Sequence, residues 1–349
     1  MLLFLTRRIG VMTLTALVLT FMVFFMTNLY PNLEKLAKFQ GSQRMQDSEV
    51  QSYLENNGYL EPVLLRYGQW LGVVPGWRRE MEDGTVRGRC ARFASENGEI
   101  PNRCGLLQGN LGYSTVAKQD VGEIIWRRLG TSGVLMFWVM IVMVPMALVV
   151  GVLAGMREGS RTDRSLSTFS IVTTATPEYI SGVVLVVVFA SSAVGLKWFK
   201  GSAASALNDG VSFDNFTLPV MTMALYGMGY IARMTRASMA EVMTSQYIRT
   251  ARLKGVPFYK IVLKHALRNA LIAPFTVIML QFPWLLTGVV IVETLFNYKG
   301  FGWTLVQAAE NNDIELLISC SIAAVVVVLV TQLISDIGYV YLNPRIRIS

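Results

Sequence analysis

Six long apolar runs constrain this chain more than any other feature of its sequence. A helix needs about 20 mainly apolar residues to cross the hydrocarbon core of a bilayer. The runs that reach this length are residues 9–29, 132–155, 168–194, 216–235, 271–294 and 315–341. The fourth run is the weakest, because Gly227 and Gly229 interrupt it and Arg233 lies near its end. The pattern predicts an all-α, polytopic membrane protein with about six transmembrane helices.

Composition supports a membrane protein and argues against nucleic-acid binding. The 349 residues are 53% hydrophobic and only 15% charged, and the mean hydropathy is +0.45. The net charge of +8 would suit a nucleic-acid partner. However, the basic residues lie beside the apolar runs, where retention of positive charge in the cytosol explains them. We therefore expect a membrane as partner and no nucleic acid.

The basic short loops predict the orientation of the spans. Lys and Arg concentrate at 157–164 and 236–268, and again at Arg345 and Arg347. Because positive charge is retained in the cytosol, both termini are expected there. We therefore divide the chain into a cytoplasmic N-terminus with helix 1 (1–29), a periplasmic segment (30–131) and a core membrane domain with five helices (132–349).

The segment 30–131 contains its own local signals. Residues Asp47–Asn56 have helical apolar spacing and are followed by Asn57-Gly58, so a short helix ending there is predicted, with another from about Pro62 to Leu71. Turn signals at Asp83-Gly84 and Asn97-Gly98 predict a compact loop or hairpin after Trp77.

Cys90 and Cys104 flank that loop and would lie in an oxidising compartment. We expect a disulfide between them, with two free buried thiols as the alternative. A single His and the absence of a CxxC pair argue against a metal site. No catalytic residue and no cofactor are expected, because one His without a nucleophile motif gives no catalytic constellation.

Moving a solute across a membrane against its gradient needs energy. This chain contains no GxxxxGK[ST] loop for nucleotide phosphates, so the energy would come from a partner or from an ion gradient. An ion-coupled secondary transporter would place ionisable groups at mid-membrane. The acidic candidates within the apolar runs are Glu178, Glu293 and Asp336, of which only Glu178 falls near the middle of a run. Pro177 is expected to kink that helix, and Pro177 and Glu178 are candidates for lining a pathway.

A basic loop at about 237–270 is the clearest candidate for contact with a partner. The sequence predicts a helix over Ser245–Leu253, a break at Gly255-Val-Pro257, and a second helix over Lys260–Ala270. The apolar residues Tyr247, Ile248 and Ala251 are predicted to form a knob on the first helix.

This loop resembles the coupling loop of ABC importer permeases of the dipeptide/oligopeptide/nickel branch. The resemblance rests on Arg249–Gly255 followed by His265–Ala270. It extends in the correct order through Leu5–Arg8, Gly109–Ser114, Leu218-Pro219, Ile291–Phe296 and Asn343–Arg347. Arg249 and Thr250 stand where many importers carry Glu-Ala, and Tyr30–Leu33 replaces an acidic turn that is common in this branch.

The resemblance implies a type I-like permease fold in a bacterial inner membrane. It also implies a second permease subunit, expected to differ from this one, two cytoplasmic ABC ATPases and a periplasmic solute-binding protein. Peptide is the default solute, with nickel chelates, glutathione-like compounds and oligosaccharides left open. The residues that it assigns to the ATPase-coupling loop are Tyr247, Arg249, Thr250, Ala251, Arg252, Gly255, Lys260, His265 and Arg268.

Three smaller patterns have structural interpretations. Gly151 and Gly155 have the spacing that lets helices approach closely, either within this chain or with a second permease. The turn Gly109–Ser114 is expected to be structural, and Val121–Arg128 to form an amphipathic helix at the outer interface before the second span.

Overall fold

The computed structural model describes residues 2–80, 86–93, 99–192 and 196–342, and these residues are mostly helical. The helices are α1 (Leu2–Thr27), α2 (Tyr30–Gln40), α3 (Asp47–Asn56), α4 (Val63–Leu71), α5 (Val121–Gly155), α6 (Arg161–Ala175), α7 (Glu178–Phe189), α8 (Phe213–Met243), α9 (Gln246–Leu253), α10 (Phe258–Lys260), a π-helix (Ile261–Ala266), α11 (Leu267–Ala270), α12 (Ile272–Leu295), α13 (Phe301–Glu310) and α14 (Ile314–Leu342). Single 3₁₀ turns lie at Ala91–Phe93, Leu106–Gln108 and Ala204–Leu207. Two antiparallel hairpins pair β1 (Arg78–Glu80) with β2 (Val86–Gly88) and β3 (Tyr113–Ser114) with β4 (Gln119–Asp120).

The prediction of six spans is not confirmed. Within the described residues, four helices are long and apolar enough to cross a membrane: Thr6–Thr27, Val121–Gly155, Ile272–Leu295 and Ile314–Gly338. A fifth candidate is the pair α6 and α7, which replaces the third predicted span and is bent by 106°. The fourth run forms the 31-residue helix α8, but this helix is not among the four.

The chain divides into two compact units. The core unit comprises Leu129–Trp303 and the described part of the chain from Val327, and the N-terminal unit comprises Leu2–Arg128 and Thr304–Val326.

Several of the sequence patterns lie outside the described residues: the turns at Asp83-Gly84 and Asn97-Gly98, the end of the third run at 193–194, and Asn343–Arg347.

Helix α8 runs through the centre of the core unit. Its Met223, Met228 and Ile231 are fully buried. A Cβ at Gly151 would meet Thr235 and the carbonyl of Ala232, and so no larger residue fits between α5 and α8 at this point. Gly155 likewise lies against Arg236 and Met239. The two glycines therefore allow close helix packing within this chain.

Glu293 fixes the chain after α12. Its side chain is fully buried and accepts hydrogen bonds from the hydroxyl of Ser132 and from the Trp303 N–H at 3.0 Å. The Ser132 oxygen in turn accepts from the Phe301 N–H at 2.7 Å. A Cβ at Gly300 would collide with the Glu293 carboxylate. Glu293 is therefore held by a hydrogen-bonded turn, which argues for a structural role and against ion transport.

The N-terminal unit has a separate apolar core around Trp70. Phe24, Leu36, Leu54 and Ile318 are buried with it. Helix α3 has the predicted bounds, and its start is fixed by the Gln46 N–H, which donates to Glu49 Oε2 at 2.9 Å. The predicted second helix corresponds to α4, and the predicted hairpin corresponds to β1 and β2.

The structure joins Cys90 and Cys104 in a disulfide, with their Cα atoms 5.5 Å apart. It ties the segment after β2 to the segment before the Leu106–Gln108 turn. The predicted helix at Val121–Arg128 is present, but it forms the first turns of α5, which runs unbroken from Val121 to Gly155.

The turn Gly109–Ser114 anchors the start of α14 within the N-terminal unit. Gly112 has a φ of +96°, and a Cβ there would collide with Glu315. The Ser114 hydroxyl donates to Asp313 Oδ2, and the Ser319 hydroxyl donates to the Leu111 carbonyl at 2.6 Å. These contacts support the structural interpretation of this turn, since only glycine allows both the backbone conformation and the close approach.

Candidate functional site

The basic loop of the core unit begins with α9, which ends in a glycine-dependent cap. Gly255 has a φ of +73°, the left-handed region that disfavours side chains. The Gly255 N–H donates to the Arg252 carbonyl at 3.0 Å, and the Val256 N–H donates to the Ala251 carbonyl at 3.2 Å. This is the Schellman arrangement, which satisfies the last helical carbonyls. Pro257 follows directly and begins the second arm of the loop.

The apolar face of α9 points into the core unit. Ile248 is fully buried and Ala251 is 9% exposed, both packed with Met239, Met243 and Ile261. The predicted knob is therefore wrong for Ile248 and Ala251, since these side chains hold the loop to its own unit. Tyr247 remains 43% exposed. Helical spacing identified the apolar face, but not whether it packs inward or outward.

The exposed apolar residues of the loop are different ones. Leu253 is 81% exposed, Leu263 62% and Tyr259 61%. They share the loop with exposed basic and polar side chains, namely Arg249, Thr250, Arg252, Lys254, Lys260, Lys264 and Arg268. We call this set of exposed residues the loop surface. Its mixture of large apolar and basic groups is suited to binding a protein partner.

The second arm of the loop contains an irregularity that the sequence did not indicate. Lys260 ends α10, and the six residues Ile261–Ala266 form a π-helix before α11. His265 lies in this π-helix and is half-buried. The Asn269 amide donates to the Tyr247 hydroxyl at 2.9 Å, so the two arms of the loop are tied together.

The loop and the adjoining end of α8 are also tied to the turn between α5 and α6 in the core unit. Arg236, near the end of α8, donates from Nε and Nη2 to the carboxylate of Asp163 at the start of α6. The Asp163 side chain is 3% exposed and also accepts from the Gly159 N–H at 2.9 Å. The Arg157 guanidinium lies 5.5 Å from the centre of the Phe258 ring. The Arg157–Phe258 contact therefore ties the loop to the turn after α5, while the Arg236–Asp163 pair ties α8 to α6.

A second group of polar and aromatic residues surrounds the break between α6 and α7. Helix α6 ends at Ala175, and α7 begins at Glu178 directly after Pro177. A Cβ placed on Gly288 of α12 would lie 3.6 Å from Glu178 Oε1 and 3.3 Å from the Trp284 ring. Trp284 stacks on Tyr226, with ring centres 5.1 Å apart. Glu178 is thus half-buried beside an aromatic pair that the sequence did not single out.

The structure separates the candidate residues into three places. All nine coupling residues lie in the basic loop, while Pro177 and Glu178 lie at the α6–α7 break of the same unit. Cys90 and Cys104 belong to the N-terminal unit. Among the described residues, no group of three or more His, Cys, Asp or Glu side chains is arranged to hold a metal ion.

Comparison with known families and proteins agrees with this geometry. The family described as "Binding-protein-dependent transport system inner membrane component" matches residues 147–348. This range contains the bent pair, α8, the whole basic loop and α12.

Individual relatives cover most of the chain. The "Probable peptide ABC transporter permease protein y4tP" of Sinorhizobium fredii is 33% identical over 69% of this chain and 77% of its own length. The "Oligopeptide transport system permease protein AppB" of Bacillus subtilis is 29% identical over 87% of each chain. The "Glutathione transport system permease protein GsiC" of Escherichia coli O6:H1 is 32% identical over 69% of this chain and 76% of its own.

Proposed function

The chain belongs to the family of inner-membrane components of binding-protein-dependent transport systems, and we propose that it forms half of the translocation pathway of an ATP-driven peptide importer. The observation that carries this proposal is the family match over residues 147–348, which includes the basic loop. The names of the relatives from Sinorhizobium fredii and Bacillus subtilis support peptide as the solute. The chain itself is a transport subunit and does not catalyse a reaction.

The loop surface is proposed as the contact with a cytoplasmic ATPase. Leu253, Tyr259 and Leu263 would enter a groove of the partner, and the surrounding Lys and Arg would pair with its acidic rim. Nucleotide-driven movement of two such ATPases would then reach the spans through the Arg236–Asp163 contact. The buried residues Ile248 and Ala251 would keep the loop rigid enough to transmit force.

The remaining partners and the orientation follow from the same proposal. Both termini would lie in the cytosol, and most of the N-terminal unit would lie outside the inner membrane and receive the solute-binding protein. The Cys90–Cys104 disulfide fits an oxidising compartment. A second, related permease would supply the other half of the pathway.

Glu178 is proposed to line that pathway beside Trp284 and Tyr226. A half-buried carboxylate next to two aromatic rings provides attraction for the ammonium group of a passing peptide without a tight site. Glutathione is a second candidate solute, because the relative GsiC carries that name at 32% identity. No observation favours a nickel chelate or an oligosaccharide.

The first test is co-purification of the tagged chain in mild detergent, followed by mass spectrometry of its partners. We expect a second permease and ATPases that contain a P-loop. Uptake of a labelled peptide into cells should also stop when ATP is depleted, and it should survive collapse of the ion gradients. The opposite pattern, with a chain reproducibly free of any ATPase, would favour an ion-coupled secondary transporter.

A further inference from the structure

The N-terminal unit contains a cavity of about 460 Å³ that the transport mechanism does not use. This volume falls within the range of about 300–1,000 Å³ that is typical of small-molecule sites. Its lining combines the guanidinium groups of Arg66, Arg89 and Arg92 with an aromatic wall that includes Trp77 and Tyr113. All of the lining residues belong to the N-terminal unit.

Arg66 is the central charged group of this cavity. It is 8% exposed, and no carboxylate of the described residues forms an ion pair with it. Its Nη1 donates to the Tyr59 carbonyl at 2.9 Å, and its Nη2 donates to Asn28 Oδ1. Both acceptors are neutral groups. A buried cation held by neutral acceptors lacks the compensating charge that such groups normally have.

The neighbouring carboxylates of Glu315 and Glu61 raise the pKa of Arg66 through space, but neither forms an ion pair with it. Burial raises the pKa of the Tyr59 hydroxyl, which therefore remains neutral. Glu61 accepts a hydrogen bond from the Gln69 amide at 2.8 Å instead. Desolvation is the main effect on Arg66 itself and lowers the pKa of its guanidinium, although the group stays charged at neutral pH.

A second arginine in the cavity is only partly satisfied. Arg89 Nη1 lies 3.3 Å from Glu315 Oε1, longer than a good charge-assisted hydrogen bond. The Arg89 Nε is buried and has no hydrogen-bond partner. The backbone position of Arg89 is fixed by the adjacent Cys90–Cys104 disulfide. The cavity therefore holds one guanidinium without an ion pair and a second with one long contact, and three arginines line it against the two carboxylates of Asp120 and Glu315.

We propose that this cavity is a binding site for a small carboxylate ligand with an apolar side chain, such as the C-terminal end of a short peptide. The carboxylate would accept hydrogen bonds from Arg66 and Arg89, and the side chain would lie against Trp77. Arg92, whose guanidinium lies 3.5 Å from the centre of the Tyr113 ring, adds positive charge to the lining. Only the choice of a peptide as the ligand rests on the proposed function.

The test is direct binding to the purified full-length chain, without ATPase or binding protein, so a failure of peptide import would leave it unaffected. The probes are the dipeptide Ala-Phe and its C-terminal amide, compared by isothermal titration calorimetry in nanodiscs of zwitterionic lipid. We expect the free acid to bind at least about tenfold more tightly than the amide, equivalent to about 1.4 kcal/mol. Equal affinities, or no binding of the acid, would overturn the proposal.

Variants and lipid composition sharpen the result. Arg66→Lys keeps the charge but loses the two-pronged geometry, and it should reduce acid binding while leaving the weak amide binding unchanged. The matched control is Arg79→Gln, because Arg79 lies in the same unit, is exposed and does not line this cavity.

If acid binding disappears in nanodiscs of phosphatidylglycerol, a lipid headgroup occupies the site and the peptide assignment is overturned. If it persists there, the peptide assignment is supported.

Discussion

Arg236 and Asp163 form a two-pronged ion pair between α8 and the start of α6, with N–O distances of 2.7 and 2.8 Å. Asp163 is almost fully buried, whereas the Arg236 side chain is 32% exposed. The burial of this ion pair is thus intermediate between that of an exposed ion pair and that of a fully buried one.

We predict that Asp163→Asn and Arg236→Gln each destabilise the protein. The loss should exceed the roughly 1 kcal/mol of exposed pairs and stay below the about 3–5 kcal/mol of fully buried ones. Thermal unfolding in detergent measures it, and the double variant should cost less than the sum of the two. Lys200→Gln, which breaks the exposed Lys200–Asp214 pair, is the control and should change little. An unaltered melting temperature for Asp163→Asn would contradict the role of the pair.

Gly255→Ala should weaken the stimulation of ATP hydrolysis by substrate. The left-handed φ costs an alanine about 1 kcal/mol, and the cap that orients the loop would distort. Gly210→Ala is a matched control, because Gly210 also has a positive φ and open space around it but lies outside the loop. Both variants should lower the melting temperature slightly, whereas only Gly255→Ala should reduce substrate-stimulated ATPase activity in the reconstituted complex. Equal activities would argue against a special role for this cap.

Leu253→Asp should abolish co-purification of the ATPase without unfolding the chain. Leu253 is 81% exposed, so its replacement removes no internal packing. Leu107→Asp provides the comparison, because Leu107 is 70% exposed and lies in the N-terminal unit. This substitution should leave the complex intact. Retention of the ATPase by the Leu253 variant would show that the loop surface is not the contact.

Glu178→Gln should reduce peptide uptake by about tenfold, mainly through a higher KM, if the carboxylate contributes one charge-assisted contact of about 1.5 kcal/mol. Uptake of labelled dipeptide by cells expressing the variant measures this. Glu310→Gln is the control, because Glu310 is an exposed carboxylate in the N-terminal unit. Unchanged uptake by the Glu178 variant would remove this residue from the pathway.

Cys90→Ser and Cys104→Ser should each lower stability by about 3 kcal/mol, the loop-closure value for a ring of this size. The double variant should be no less stable than either single one, because the same bond is lost in all three. Thermal unfolding with and without a reductant measures the effect, and the reductant should affect only the wild type. Additive losses would mean that the cysteines act as separate buried thiols.

Local signals along the chain predicted much of this structure. Asn57-Gly58 ended α3 as expected, Gly255 and Pro257 separated the arms of the loop, and Pro177 marked the break in the third run. These features depend on backbone preferences of single residues, which a sequence displays directly.

Features that depend on tertiary packing were not predictable. Periodicity placed Ile248 and Ala251 on one face of α9, but only their packing against Met239 shows that this face is internal. The proximity of Glu178 to Trp284, and that of Arg89 to Glu315, joins residues more than 100 positions apart. No local pattern in a single sequence records such pairs.

The break at Pro177 has a consequence for the assembled membrane. Proline has no N–H, so one carbonyl of the preceding turn loses its helical donor. Hydrocarbon offers no replacement donor, and backbone groups at such breaks are tolerated only against protein or water. The side of the core unit that carries the break must therefore be shielded from lipid acyl chains.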